Sequence, residues 1–305
     1  MKKNKKIPIV IDDNFNLGYE KKSKFYFLML PIIWLLTIWV AIKKKILGPN
    51  LKTNTLWFDG LSSFAREVKN NATRWKALDI VYNHPIYKDK NFIDIITTEF
   101  WWHNLLSTRA TRNRLRLLKH LLKNEIQNYL NHYPEVRIIS VASGSAQGVI
   151  EVIKDFREKP VRVLLLDLDT SALEYSKKLA KEAQVEDKII FVNKSAKELE
   201  NIGKEFSPHI VEVVGFLMYR PKKKAIKLVE RIHRILVPNG VLLISQDNYI
   251  PERFFLYFVV NWPIIFRSPE EFSEILIKGG FNPSYFKIIY EPIKMHGIAI
   301  CKKII

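Results

Sequence analysis

The residue types and spacings that point to chemistry fall in the second half of the chain. Ile138 to Gly148 reads IISVASGSAQG, an apolar strand running into a turn of small residues and then a helix. Gly144, with Ser143, Ser145 and Ala146 beside it, lets a ligand approach the backbone closely, and the following helix offers its N-terminal amides. Asp167 follows at the end of the next apolar run, in LLLDLDTSAL. A carboxylate there can accept both hydroxyl hydrogens of a ribose, and loop plus acid at this spacing is a stronger signal than either part. Two cations could hold an anionic group: Arg267, after the apolar run Phe254 to Phe266, and Arg112, on the helix before the first strand of this region. A guanidinium holds a carboxylate through two bonds.

These residues require a scaffold, and the pattern from Val136 onward supplies one. Short apolar strands (VRIISVA, VRVLLLDL, KIIFVN, HIVEVVGFL, VLLISQ) alternate with amphipathic helices, which predicts an α/β, doubly wound parallel sheet. SYFKIIYEPI and HGIAICKKI add two strands with a short connection at the end. Upstream, residues 51–134 read as helical. The clearest stripe is Leu115, Leu118, Leu122, Ile126 and Tyr129, one face of a helix ending before Pro134.

With strands, loop and acid in place, the region 135–305 resembles the class I S-adenosylmethionine (SAM) methyltransferases. VASGSA stands where that family has its glycine-rich loop. Asp167, Asp169 and Leu173 match its D-x-[SD]-x-x-x-L pattern, and LVPNGVLLIS, Leu236 to Ser245, resembles its turn and fifth strand. The resemblance implies a seven-stranded doubly wound sheet closed by an antiparallel strand. It further implies SAM as cofactor, with contacts from Ala142, Ser143, Gly144, Ser145, Asp167, Leu168, Ser195 and Gly215. The sequence departs from the family at Ser140, where an acid is usual, at Ala142 and Ala146, which replace glycines, and at Ser195, which replaces an aspartate.

NLLSTRATRNRL (Asn104 to Leu115), VEVVGFLMY (Val211 to Tyr219) and NWPIIFRSPEEF (Asn261 to Phe272) are similar to a bacterial subgroup of methyltransferases that includes enzymes methylating the carboxyl group of 3-hydroxy fatty acids. Tyr219, Trp262 and Arg267 match that subgroup, whereas Met218 replaces its acid. The implied activity is methyl transfer to a small or lipid-like acceptor, with Tyr219, Arg267 and Arg112 as the reacting-site residues. A degenerate, membrane-tethered binding module of the same fold is the alternative from another class.

The first half bears on location. Phe25 to Ile42, FYFLMLPIIWLLTIWVAI, is uncharged and bracketed by lysines on both sides. Its length of about 27 Å is just enough to span a bilayer core of about 30 Å when the flanking lysines snorkel. A single span with the cofactor domain in the cytoplasm would put Lys2, Lys3, Lys5, Lys6, Lys21, Lys22 and Lys24 outside, against the positive-inside tendency. Pro31 allows a kink, so a re-entrant or in-plane anchor competes with a span, and a buried helix of the soluble fold is the plainer reading. The organisation read from the sequence is therefore a mobile basic N-terminus (1–24), a membrane-associated segment (25–42), a helical region covering the cofactor site (51–134) and a SAM-binding domain (135–305) on the cytoplasmic side.

Composition narrows the partners. The net charge of +18, from 49 Lys and Arg against 31 Asp and Glu, suits an anionic membrane or nucleic acid. The charge is spread along the chain, and GFLMYRP stands where enzymes that methylate the amino groups of bases carry [ND]-P-P-[YF], which disfavours nucleic acid. The single cysteine, Cys301, excludes an intramolecular disulfide, and the seven histidines show no HExxH-type spacing, so no metal is expected.

Overall fold

A computed structural model of the chain describes residues 8–12, 15–49, 51 and 53–304. In chain order the first elements are strand β1 (Ile9–Ile11) and helices α1 (Tyr26–Leu47), α2 (Ser63–Asn70), α3 (Trp75–Tyr82), α4 (Phe92–Asn104) and α5 (Leu106–Leu130). Next come β2 (Val136–Val141), α6 (Gln147–Lys154), β3 (Val161–Asp167), α7 (Thr170–Glu182), β4 (Ile189–Asn193), α8 (Leu199–Phe206) and β5 (Ile210–Val213). The chain continues through α9 (Lys222–Ile235), β6 (Val241–Asp247), α10 (Arg253–Phe258), α11 (Pro269–Lys278), β7 (Phe286–Tyr290) and β8 (His296–Lys302).

Two compact units result. Unit one holds the described residues up to Tyr19, Arg114–Asn248 and those from Ile265 onward; unit two holds Glu20–Asn113 and Tyr249–Ile264. The division differs from the boundary at 135 read from the sequence: the helix with the Leu115 stripe belongs largely with the sheet, whereas Tyr249–Ile264 packs among the N-terminal helices.

Unit one is a mixed sheet in the order β1-β7-β8-β6-β5-β2-β3-β4. Strands β2 to β6 pair in parallel, and β8 runs antiparallel to both of its neighbours. Apolar residues on both faces make these strands continuous hydrophobic runs. Ile138 turns toward the layer holding Leu118, Leu122, Ile126 and Val149, while its neighbour Ile139 turns toward the layer holding Val229, Ile232, Phe272 and Ile275. All five residues of the predicted α5 stripe are buried.

The sheet formed by the described residues has eight strands, one more than expected. The added strand is β1, in the segment read as mobile. Its side chains are 43 to 47% exposed, so burial does not hold it. Parallel pairing of Ile9–Ile11 with Ile288–Tyr290 does, with further bonds from the Asp12 amide to the Tyr290 carbonyl (2.8 Å) and from the Tyr19 hydroxyl to Asp12 (3.0 Å). The lysines at 2, 3, 5 and 6 lie outside the described residues.

Unit two is helical. One stripe of α1, Tyr26, Met29, Ile33, Leu36 and Val40, is buried at helical spacing. The remaining faces expose Phe27, Leu28, Trp34, Leu35, Ile38, Trp39 and Ile42. Pro31 does not interrupt the helix. The apolar run at 254–266 is mainly core: Phe255, Leu256, Val259 and Val260 are buried, and Phe255 lies 5.2 Å from the Phe58 ring and 5.9 Å from that of Trp101. Glu252, fully buried, accepts the amides of Leu106 (2.7 Å) and Ser107 (3.0 Å) and so caps α5.

Candidate functional site

The loop between β2 and α6 is built from left-handed residues. Ala142, Gly144 and Ala146 have φ of 53°, 56° and 50°. Alanine carries a Cβ into a region that favours glycine, so these positions hold conformational cost that the surroundings must offset. Part of the offset comes from Asp167 at the end of β3. One of its oxygens accepts the Gly144 amide (2.8 Å), and the other accepts the Asp169 amide (2.8 Å) at the start of α7. Ser143 donates its amide to the Leu166 carbonyl (3.2 Å), and the Ser176 hydroxyl donates to the Gly144 carbonyl (2.9 Å). The Ser143 hydroxyl oxygen is buried without a hydrogen-bond partner, and Leu168, next to Asp167, is 72% exposed.

This arrangement fits a nucleotide-type cofactor. A carboxylate with two bonds made still has acceptor capacity for ribose hydroxyls, and an unsatisfied buried hydroxyl in the loop provides a further polar contact. Gly215, at the end of β5 with φ of 86°, donates its amide to the Ser245 hydroxyl (2.9 Å). Ser195 instead opens a capping box with Glu198 and lines a cavity of about 260 Å³ with Phe216, Arg220, Lys224 and Arg231.

An acid missed from the sequence lies beneath this loop. Ser140, standing where an acid is usual, is the register partner of Glu212 on β5, and its hydroxyl donates to that carboxylate at 2.5 Å. Glu212 is wholly buried. Burial pushes its pKa up to about 7, against the Ser140 bond, the Val214 amide and the charge of Arg114, which act downward. Two strands from β2, the Asp247 carboxylate at the end of β6 meets His296 Nδ1 of β8 at 2.8 Å, both side chains being buried. Strand spacing puts this pair on the order of 10 Å from the β2 loop, along the same carboxyl edge of the parallel strands.

The two arginines are already engaged. Arg267 is buried and donates to Gln246 Oε1 (2.6 Å) and to the Arg220 carbonyl (2.5 Å), bracing the loop after β5 against the end of β6. In unit two, Arg112 makes a two-bond pair with Glu20 (2.6 and 2.5 Å) and lies over the Trp102 ring at 3.6 Å. Both guanidiniums are buried and paired within the protein, and Arg112 Nη1 is left without a hydrogen-bond partner. Tyr219 is half-buried in the short turn after β5. Unit two also brings His84, Glu99 and His103 together, with His103 Nε2 at 2.6 Å and His84 Nε2 at 3.3 Å from the Glu99 carboxylate.

A parallel doubly wound sheet closed by an antiparallel strand, with a strained loop and an acid at its switch point, defines a methyltransferase-type α/β protein. The chain belongs to the methyltransferase family described as "Putative methyltransferase", whose model matches residues 50–287. Solved structures share the fold at low identity. A protein of Bordetella parapertussis described as a possible exported protein matches with a TM-score of 0.67 and 14% identity, covering 93% of this chain and all of its own. An O-methyltransferase family protein of Burkholderia thailandensis has a TM-score of 0.53 at 13% identity, over 96% of this chain and 77% of its own. The magnesium protoporphyrin IX methyltransferase of Synechocystis, solved with bound SAH, has a TM-score of 0.53 at 11% identity, over 73% of this chain and 90% of its own. No curated protein sequence matches the chain.

Proposed function

We propose that the protein is a SAM-dependent O-methyltransferase that acts on a lipid-like acceptor at a membrane surface, on the cytoplasmic side. The observation that carries the cofactor reading is Asp167, whose carboxylate braces the strained 142–146 loop and retains acceptor capacity at the switch point of the sheet. Ser143, Gly144 and Ser145 would contact the cofactor beside it, and exposed Leu168 would cover its base.

SAM, when bound, supplies an electrophilic methyl group on a sulfonium. The protein's part is to hold the acceptor oxygen in line and to manage its proton. The buried Asp247–His296 pair, 2.8 Å apart at the carboxyl edge of the parallel strands, suits a hydroxyl acceptor, whose proton it would take up. Arg267 serves as a positioning residue by fixing the 217–220 turn, and Tyr219 within that turn contacts the acceptor. A fatty carboxylate remains the alternative acceptor and would need a cation other than Arg267 or Arg112.

The membrane reading rests on α1. Its buried stripe runs from Tyr26 to Val40, about 20 Å of helix, while its other faces stay apolar and exposed. Docked along one side within unit two and apolar on its outward faces, α1 suits an anchor lying in the interface plane. Incubating the full chain with labelled SAM and total lipid or total RNA tests activity and acceptor class together. Label in an alkali-stable lipid product supports a hydroxyl acceptor, alkali-labile label supports a carboxylate, and label in RNA or in nothing overturns the proposal.

A further inference from the structure

Two sequence features are left unused by the methyl-transfer site: the lysines that follow the apolar segment, and the aromatic run at 254–263. They meet in one place. A cavity of about 750 Å³ within unit two is lined by Lys44 and Lys45 of α1, Lys69 of α2, and Tyr257, Phe258 and Asn261. No carboxylate lines it among the described residues. Lys44 Nζ is held by Asn261 Oδ1 at 2.7 Å, and Lys69 Nζ by Asp59 at 3.1 Å and by the Thr53 carbonyl.

The electrostatics call for an anion. Burial lowers the pKa of both Lys44 and Lys69, and the charge of Lys69 lowers that of Lys44 further, whereas Asp59 opposes the shift at Lys69 alone. Asp59 is itself buried: its Oδ1 accepts the Thr55 amide and hydroxyl, both at 2.8 Å, and its Oδ2 pairs with Lys69. Lys69 has its own counter-charge in Asp59, so partly buried Lys44 and exposed Lys45, which line the same cavity, are the ammonium groups that a bound anion would relieve. The rest of the lining is largely apolar and lies at the end of a helix whose outward faces are apolar.

We propose that this cavity binds the phosphate group of an anionic phospholipid, its first acyl methylenes running along Tyr257 and Phe258. The phosphate chemistry stands on the lysines; the lipid source rests on the in-plane reading of α1.

The test uses the full chain and short-chain phosphatidate below its micelle concentration, with short-chain phosphatidylcholine and inorganic phosphate as separate arms, followed by calorimetry. The expected result is saturable phosphatidate binding, weakened at least about tenfold by Lys44→Gln with Lys45→Gln and unchanged by Lys177→Gln with Lys178→Gln, which removes equal charge elsewhere. Phosphatidylcholine binding as tight as phosphatidate, or no loss in the Lys44/Lys45 variant, overturns the site. Inorganic phosphate binding as tightly as phosphatidate overturns the lipid source. Phosphatidate binding by a chain that does not float with anionic vesicles supports the site and discards the in-plane anchor, so the two readings fail separately.

Discussion

Replacing Glu212 by glutamine isolates the energetic cost of an acid placed under the cofactor loop. Burial raises its pKa from an ordinary 4.5 to about 7, so in this window the folded chain binds a proton that the unfolded chain releases. Stability contributed by a raised carboxyl group is fully present below its unfolded pKa and is lost as pH rises through its folded pKa. At 1.36 kcal/mol per unit, the loss between about pH 4.5 and somewhat above 7 amounts to about 3 kcal/mol. Glutamine keeps the volume and can still accept the Ser140 hydroxyl through its amide oxygen, and it does not titrate. Glu252 and Glu291, also raised by burial, are present in both proteins and cancel in the comparison. Denaturant unfolding of wild type and Glu212→Gln at about pH 5 and about pH 8 should therefore show the variant gaining on wild type by roughly 2 to 3 kcal/mol at the higher pH. Parallel pH profiles would refute the assignment of a buried, proton-binding acid.

Other positions test separate parts of the account. His296→Gln should lower kcat by roughly 10² to 10⁴ while leaving SAM affinity unchanged in calorimetry, as expected of a proton acceptor rather than a cofactor contact. Trp34→Glu with Ile38→Glu, on the exposed faces of α1, should abolish flotation with anionic vesicles without shifting the denaturation midpoint; retained flotation would remove the anchor role. A Cβ at Gly203 would lie 2.5 to 2.8 Å from three atoms of Ile235, so Gly203→Ala should cost about 1 to 3 kcal/mol in denaturant unfolding through overpacking of α8 on α9.

What the sequence made legible were features with local signatures. The strands β2 to β8, the α5 stripe and Asp167 each announce themselves through period, composition or spacing. Strand β1 was hidden because three half-exposed residues are held by backbone pairing with a strand almost 280 residues away. Glu212 offered a signal, an acid inside the apolar run VEVV, but its partner Ser140 emerges only from the β2–β5 register. Asp247 and His296 likewise meet only through the antiparallel pairing of β6 with β8. Arg267 read as an acceptor clamp because its sequence neighbourhood does not reveal that Gln246 and the Arg220 carbonyl already take two of its donors. Side chains committed by long-range pairing are the ones that local pattern misjudges.

The proposed function requires the 142–146 loop and Asp167 to form a working cofactor site. Calorimetric titration of the purified full chain with SAM, alongside Asp167→Ala, tests it most directly. The account predicts one-to-one binding by wild type and a loss of at least about tenfold in the variant, since a carboxylate–hydroxyl contact contributes roughly 1.5 to 3 kcal/mol. No binding by wild type, or equal affinity in Asp167→Ala, would contradict it.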